Sequence, residues 1–421
     1  MLKQTILLLV AFISINVVAQ QGTASPYSFY GIGELNYKGT IENQSMGGIS
    51  VYSDSIHLNL LNPSSLGKLK LTTFTIGANH KSSDLKTNDD TASTSSSTFD
   101  YLAVGLPMGK LAMSFGLLPY TSVGYKTGFS DYQNATVGQG RFEGSGGVNR
   151  AFIAGGYSIN KNLSIGLEVN YNFGKINNEA ITISGLKYDT RETNESSLSG
   201  AAFNFGVTYD RMISEKLKLT TAATFSPQAN LTSNNSRELA TIIFNSNGVA
   251  IPRSIKEINL NELGLESTIF KLPSKITIGT GIGKPKKWFA AIDYTNLGTG
   301  KLENLTFNNT NVSYKNANKI ALGGYYIPKY NSLSNYFSKV VYRTGFRYEN
   351  TGITIQNEDI NEFGISFGVG LPVGRKFSNI NIGFEYGSKG TTKNNLVKED
   401  FFNINLSLSF NDKWFQKRKI D

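Results

Sequence analysis

The sequence predicts an all-β fold, a fourteen-stranded antiparallel transmembrane β-barrel, and three observations predict it. Residues 401–410 read FFNINLSLSF: from Phe402 on, Ile404, Leu406, Leu408 and Phe410 are apolar, and Asn403, Asn405, Ser407 and Ser409 lie between them. A strand sends successive side chains to opposite faces, so this segment has one apolar face and one wet face. Segments of this kind recur along the chain, and their connections alternate between short and long. After the first twenty positions there is no stretch of ~20 apolar residues, so no spanning helix is available.

The elements follow in order. The opening MLKQTILLLVAFISINVVAQQG has one Lys, an apolar run from Ile6 to Val18, then small residues. This is the pattern of a secretory signal, so residues 1–20 are read as a signal peptide cut after Ala19 or Gln20. The chain contains 0 cysteines, which removes a lipoprotein anchor, disulfides and thiolate chemistry. Strands are expected near 69–80, 98–107, 109–118, 147–158, 161–175, 197–211, 215–228, 273–284, 287–298, 318–329, 338–349, 360–372, 377–388 and 399–410. In 161–175, Leu163, Ile165, Leu167, Val169, Tyr171 and Phe173 share one face; Ser164, Glu168, Asn170 and Asn172 share the other. Short turns fall at Met108, Asn160–Lys161, Ile213–Ser214, Pro285–Lys286 and Gly374–Lys376, with a longer one at 330–337. Long polar loops are expected at 81–97, 119–146, 176–196, 229–272, 299–317, 350–359 and 389–398. A barrel of the outer membrane sorts its loops this way, with short periplasmic turns, long outer loops and both termini periplasmic. The barrel is placed at 69–410 and a basic periplasmic tail, NDKWFQKRKID, at 411–421. Aromatics gather at strand ends, as interfacial girdles require. In the third strand, Pro119 cannot donate a ladder bond and is expected to end the strand; the other reading is a kink at Gly116 and Pro119.

Lysine and arginine exceed aspartate and glutamate by 10, but the charges stand singly in loops. That spacing suits solubilising loops or anionic surface lipid, not nucleic acid. The charges whose parity faces the lumen are Glu168, Asp293, Arg343, Arg347, Glu349, Glu362 and Glu385. Ionisable groups at membrane depth must meet water or pair. Two readings stand: a polar patch that holds a ligand head group or a latch, and an ion-pair ladder that stiffens the barrel. His57 and His80 are the only histidines, and no acid or Cys cluster joins them at metal-ligand spacing, so no metal site is expected. GTGIGK at 279–284 lacks phosphate-loop spacing, and its glycines alternate inward to leave lumen space. GISFG at 364–368 has G-x-S-x-G spacing but lies inside the expected strand 360–372 and not on a strand-to-helix turn, so it is not read as a nucleophile elbow. The chain is read as a non-enzyme without cofactors.

Three stretches carry a family resemblance. Residues 45–66, SMGGISVYSDSIHLNLLNPSSL, resemble the N-terminal segment of FadL-type outer-membrane transporters of hydrophobic compounds, with Gly47, Gly48, Asp54 and Asn62-Pro63-Ser64-Ser65-Leu66 in the matching places; Met46-Gly47-Gly48 are expected to turn tightly and Asn62-Pro63 to fix the entry to the barrel. Residues 271–295 resemble that family's Leu-Pro strand start and the hairpin after it, and residues 318–350 resemble its next hairpin. The resemblance implies that residues 21–68 form a hatch inside the lumen. It also implies that a hydrophobic small molecule, fatty-acid-like or aromatic, enters from outside and leaves sideways through a kinked strand. An elongated apolar pocket beside 45–66 is then expected. The ends, SPYSFYGIGELN and NDKWFQKRKID, resemble a Bacteroidetes branch that includes barrel subunits of the type IX secretion translocon. The partners implied are outer-membrane lipid with either a hydrophobic small molecule or secretion-translocon proteins.

Overall fold

Every apolar face found in the sequence becomes an outer wall. The computed structural model describes residues 22–129, 132–299, 312–373 and 378–413. The signal peptide, the turn at 374–376 and most of the basic tail lie outside the described residues. The molecule is a closed antiparallel barrel of fourteen strands. We number them β1 (Thr72–Lys86), β2 (Thr91–Met108), β3 (Leu111–Val123), β4 (Gly140–Ser158), β5 (Leu163–Thr182), β6 (Asp189–Met212) and β7 (Lys218–Ser226, resuming at Ala229–Phe244). The rest are β8 (Ser267–Leu272, resuming at Lys275–Lys284), β9 (Trp288–Leu297), β10 (Ala317–Tyr326), β11 (Val341–Ile355), β12 (Glu358–Val373), β13 (Ser378–Gly390) and β14 (Lys398–Asp412). The breaks in β7 and β8 fall at Pro227 and Pro273, where the ladder loses a donor. β14 returns to β1 in register from Thr72↔Asp412 to Lys86↔Lys398, which closes the sheet.

The two faces are inverted relative to a water-soluble sheet. On β14, Leu406 is 48% exposed while Asn405 is 2% exposed, and the same alternation runs through β5 and β13. Apolar residues outside and polar residues inside suit a lipid-facing wall, and closure leaves no unbonded edge in the bilayer.

The expected long loops are mostly strand. β1 and β2 run to Lys86 and from Thr91, so only residues 87–90 turn where 81–97 is expected as loop. Likewise β5–β6 turn between Thr182 and Asp189, β11–β12 between Ile355 and Glu358, and β13–β14 between Gly390 and Lys398. Within 119–146, β3 runs to Val123, a short strand spans Lys126–Gly128 and β4 begins at Gly140. Within 229–272, β7 pairs with an added strand, Ala250–Ile258. Of 299–317, Val312–Tyr314 is strand, and 300–311 lies outside the described residues. Beyond the bilayer both faces meet water, so the apolar alternation stops while Ser- and Thr-rich strands continue the ladder.

Pro119 does not end its strand. β3 continues to Val123 and bulges between Pro119 and Thr121. A bulge accommodates a residue that cannot donate and bends the strand there. β2 and β3 therefore separate. Their ladder runs only from Leu102↔Leu117 to Met108↔Leu111. Above it, the edge of residues 91–101 that faces β3 has no strand partner among the described residues. β3 pairs instead with a two-residue strand, Glu34–Leu35.

That short strand belongs to residues 22–71, which thread the interior. Met46, Ile49 and Val51 pack on Ala222, Phe289 and Ala321; Ile41, Leu58 and Leu66 pack on Tyr101, Leu118 and Phe152. Two sets of inward glycines let backbone meet backbone. A Cβ at Gly323 or Gly345 would collide with Met46 and Gly47, and one at Gly156, Gly166 or Gly206 with the Asn62–Gly67 turn. The glycines of GTGIGK do not leave free lumen either: Gly279 faces Asp293 and Val51, and Gly281 faces the Phe289 ring. Side chains and the inner segment take that room.

Candidate functional site: a charged lumen cavity beside an unpaired strand edge

Alternation along β11, β12 and β13 brings Arg347, Glu362 and Glu385 together. The Arg347 guanidinium donates to Glu385 at 2.6 Å through Nε and to Glu362 at 2.6 Å through Nη2. The chain of charge continues with strict sign alternation. Glu362 lies 3.7 Å from Lys389, Lys389 lies 3.0 Å from Glu34 of the inner segment, Glu34 lies 3.6 Å from Lys81, and Lys81 lies 2.9 Å from Glu399. Gln44 and Asn403 donate to the second Glu385 oxygen at 3.3 and 3.1 Å. Burial alone would raise the Glu34 carboxyl; Lys389 and Lys81 outweigh it and hold it well below the usual carboxylate range. Buried charges persist only when paired in this manner. The network is a ladder of ion pairs that includes Glu34 of the inner segment.

Arg343 lies apart from this chain. Its Nη1 donates to Asn381 at 3.0 Å, and Asn381 donates to Glu42 at 2.9 Å. Near Glu42, 3.9 Å from His57, lies a pair internal to the segment. Asp54 accepts from His57 Nδ1 at 2.7 Å, from the His57 amide at 2.7 Å and from Tyr52 at 2.9 Å. Burial would lower the His57 pKa, but Asp54 raises it above its ordinary value, and His57 in turn holds Asp54 well below the usual range. Asp293 accepts from the Ser50 hydroxyl at 2.6 Å and from the Ser50 amide. Gly47, at φ 71°, donates its N–H to Ser366 at 3.0 Å. Asn62 caps the Pro63–Lys68 turn by accepting from Ser64 N–H at 3.1 Å, and donates to Thr208 at 3.0 Å. Met46 packs and Gly48 turns at φ 80°, their amides donating to Asn43 O at 3.0 and 2.9 Å, and Pro63 seats against Gly166 and Gly206.

Between the segment and the wall lies a cavity of about 350 Å³. The apolar pocket expected beside 45–66 is met only in part. The cavity touches Gly47, Gly48, Ser50 and Leu61, but most of its inner-segment contact is with residues 22–38, and its wall mixes Phe270, Leu272 and Leu297 with many charged groups. Inward parity is polar by construction in a barrel, so apolar lining must come from the segment and the strand ends. Ser96, Thr98 and Asp100, on the unpaired half of β2, also line the cavity. The unpaired stretch between β2 and β3 therefore borders the lumen cavity.

Sequence parity missed the cavity's cationic wall. Lys38, Lys275 and Lys319 line it, and Arg150 adjoins through a smaller cavity that also holds Glu168. Lys38 Nζ stands 3.9 Å and the Arg150 guanidinium 4.2 Å from the Tyr120 ring centroid. Burial, then Arg150 and Lys275, hold the Lys38 ammonium well below its ordinary value. Glu168 accepts from Asn170 at 3.0 Å, and Glu349 lies opposite Lys319 in register. Inward parity at Lys275 and Lys319 was the available signal; Lys38 had none, because the inner segment has no period.

Solved structures share this architecture. The CymD monoaromatic hydrocarbon channel aligns over 90% of this chain and 98% of its own with 14% identity and a TM-score of 0.57. The Pseudomonas putida toluene transporter TodX aligns over 91% and 100% with 15% identity and a TM-score of 0.58. A Pseudomonas aeruginosa FadL homologue aligns over 90% and 98% with 12% identity and a TM-score of 0.56. At these identities the likeness establishes the fold. No curated protein matches the chain. One family model matches from end to end, over residues 1–421, and with the barrel described above it places the chain in the BamG family.

Proposed function

We propose that the protein is an outer-membrane barrel, termini on the periplasmic side, that lets a hydrophobic small molecule pass down its gradient. The molecule, fatty-acid-like or aromatic, enters from the long-hairpin rim, rests in the lumen cavity and leaves sideways between β2 and β3. One observation carries this reading: the ladder break above Leu102↔Leu117 adjoins the cavity at Ser96, Thr98 and Asp100. A cavity of about 350 Å³ falls at the small end of ligand pockets. Binding draws on apolar transfer at ~25 cal/mol per Å² removed from water. Lys38, Lys275 and Lys319 favour a ligand with a polar or acidic end. The test is flux of a small lipophilic fluorophore into vesicles holding the purified barrel. Filling the gap between β2 and β3 with Leu35→Trp and Thr98→Trp should slow entry to the protein-free rate, while Trp at an outer-band site such as Leu406 should not. Unchanged flux in the double variant contradicts the reading.

A second reading is favoured by the long hairpins, which carry exposed Leu186, Val249, Ile255 and Leu263. On it the barrel binds partner proteins in a type IX secretion or surface assembly, in keeping with the Bacteroidetes-like ends. Gentle extraction and pull-down that returns the barrel alone would count against this reading.

A further inference from the structure

Two short turns on one rim, Lys284–Trp288 and residues 327–340, join into a single surface. Ile327 N–H donates to Lys287 O at 2.7 Å, and Lys329 N–H to Ser338 O at 2.7 Å. These stretches hold Lys284, Lys286, Lys287, Lys329 and Lys339 and no Asp or Glu. Lys286 Nζ stands 4.9 Å from the Tyr330 ring centroid, and Lys339 Nζ stands 6.0 Å from that of Tyr336. Leu333 is fully exposed and Phe337 is 70% exposed. The surface turns toward the lipid side. Tyr342, whose side chain belongs to the outer face, donates to Phe337 O at 3.3 Å, and Tyr336 donates to Pro372 O at 3.0 Å. Residues 336–337 thus hang below the outer band, next to exposed Tyr326, Tyr342 and Val373. A free apolar tip in continuity with a lipid-facing band, ringed by lysines, matches the interface between acyl chains and anionic head groups.

We propose that this turn pair is an interfacial foot that binds anionic phospholipid. Leu333 and Phe337 enter the acyl-chain boundary, and Lys286, Lys287, Lys329 and Lys339 hold head-group phosphates. The proposal rests on the bilayer-spanning part of the reading above and not on transport. Because the chain has 0 cysteines, single labels are clean. Leu333→Cys, Leu406→Cys and Leu186→Cys are each labelled with bimane. The full mature barrel is then placed in phosphatidylcholine vesicles with and without phosphatidylglycerol. The Leu333 label should resist iodide and be quenched by chain-borne nitroxide lipid, as at Leu406 and unlike Leu186. Phosphatidylglycerol should strengthen that protection, and added salt or Lys→Gln at the four lysines should reverse it, by roughly fivefold per lysine at most. Heat-modifiable migration on gels confirms that each variant is folded. If the Leu406 label reports lipid and the Leu333 label reports water in both vesicles, the foot is refuted and the barrel stands. If the Leu406 label reports water, the barrel reading falls first. Equal protection in both vesicles overturns the head-group assignment. A label wet in vesicles but shielded in native membranes means that a protein covers the patch, and the lipid proposal fails.

Discussion

Arg347 holds two buried carboxylates from two neighbouring strands; without it Glu362 keeps only the longer 3.7 Å contact to Lys389, and Glu385 keeps only the amides of Gln44 and Asn403. Breaking such a pair by removing one partner costs about 3–5 kcal/mol. Arg347→Met should therefore lower the unfolding midpoint in detergent, and Arg347→Met with Glu385→Leu should recover part of the loss; an unchanged midpoint in the single variant would argue that the network is slack. The Asp54–His57 pair makes a pH prediction. The His57 pKa is raised above 6.5, so its contribution is full below that value and is lost as pH rises through the raised one. The Asp54 pKa is depressed below 3.8, so its contribution is full above that value and is lost as pH falls through the depressed one. The groups facing His57 from the packed elements are Asp54, Glu42 and Arg343. Hydrogen exchange in residues 45–66 should be slowest between the two limits and faster on the alkaline side, and Asp54→Asn should flatten the profile. Rates in the wild type that do not change with pH, once intrinsic exchange is corrected for, would show that the pair does not hold this segment.

At the scale of elements, the inner segment is held by close backbone approach as much as by charge. Gly323→Val and Gly345→Val place side chains where Met46 and Gly47 lie. We expect the barrel to remain heat-modifiable while protease cuts within 22–66 at least several times faster; uncut protein would show that the dock can yield. The unpaired edge makes its own prediction. In 91–101, amides on the β3 side should exchange faster than those in 102–105, where the strand is paired on both sides. How much of this was legible follows from the same geometry. Fourteen strands could be read because lipid on one side and water on the other write a two-residue period, as in Phe402–Phe410. Residues 91–97, TASTSSS, carry no period because water lies on both sides, so the sequence reads there as loop although the strand continues. Arg347, Glu362 and Glu385 were legible through parity alone. The Arg343–Asn381–Glu42 arrangement was not, since parity gives a face but not a partner, and residues 22–71 follow no period at all.

The whole molecule turns a soluble sheet inside out, and its solution behaviour should follow. The mature chain should require detergent at every step, since its exposed band includes Phe384, Phe402, Ile404, Leu406 and Phe410. A compact monomer in plain buffer would contradict that. The larger claim is that the lumen communicates sideways with the bilayer. A crystal structure grown from a lipidic mesophase tests it most directly. We expect non-protein density to run from the cavity beside Lys38 and Lys275 through the gap between β2 and β3 into the lipid band. A continuous ladder joining residues 91–101 to residues 118–123, with nothing between them, would contradict the account.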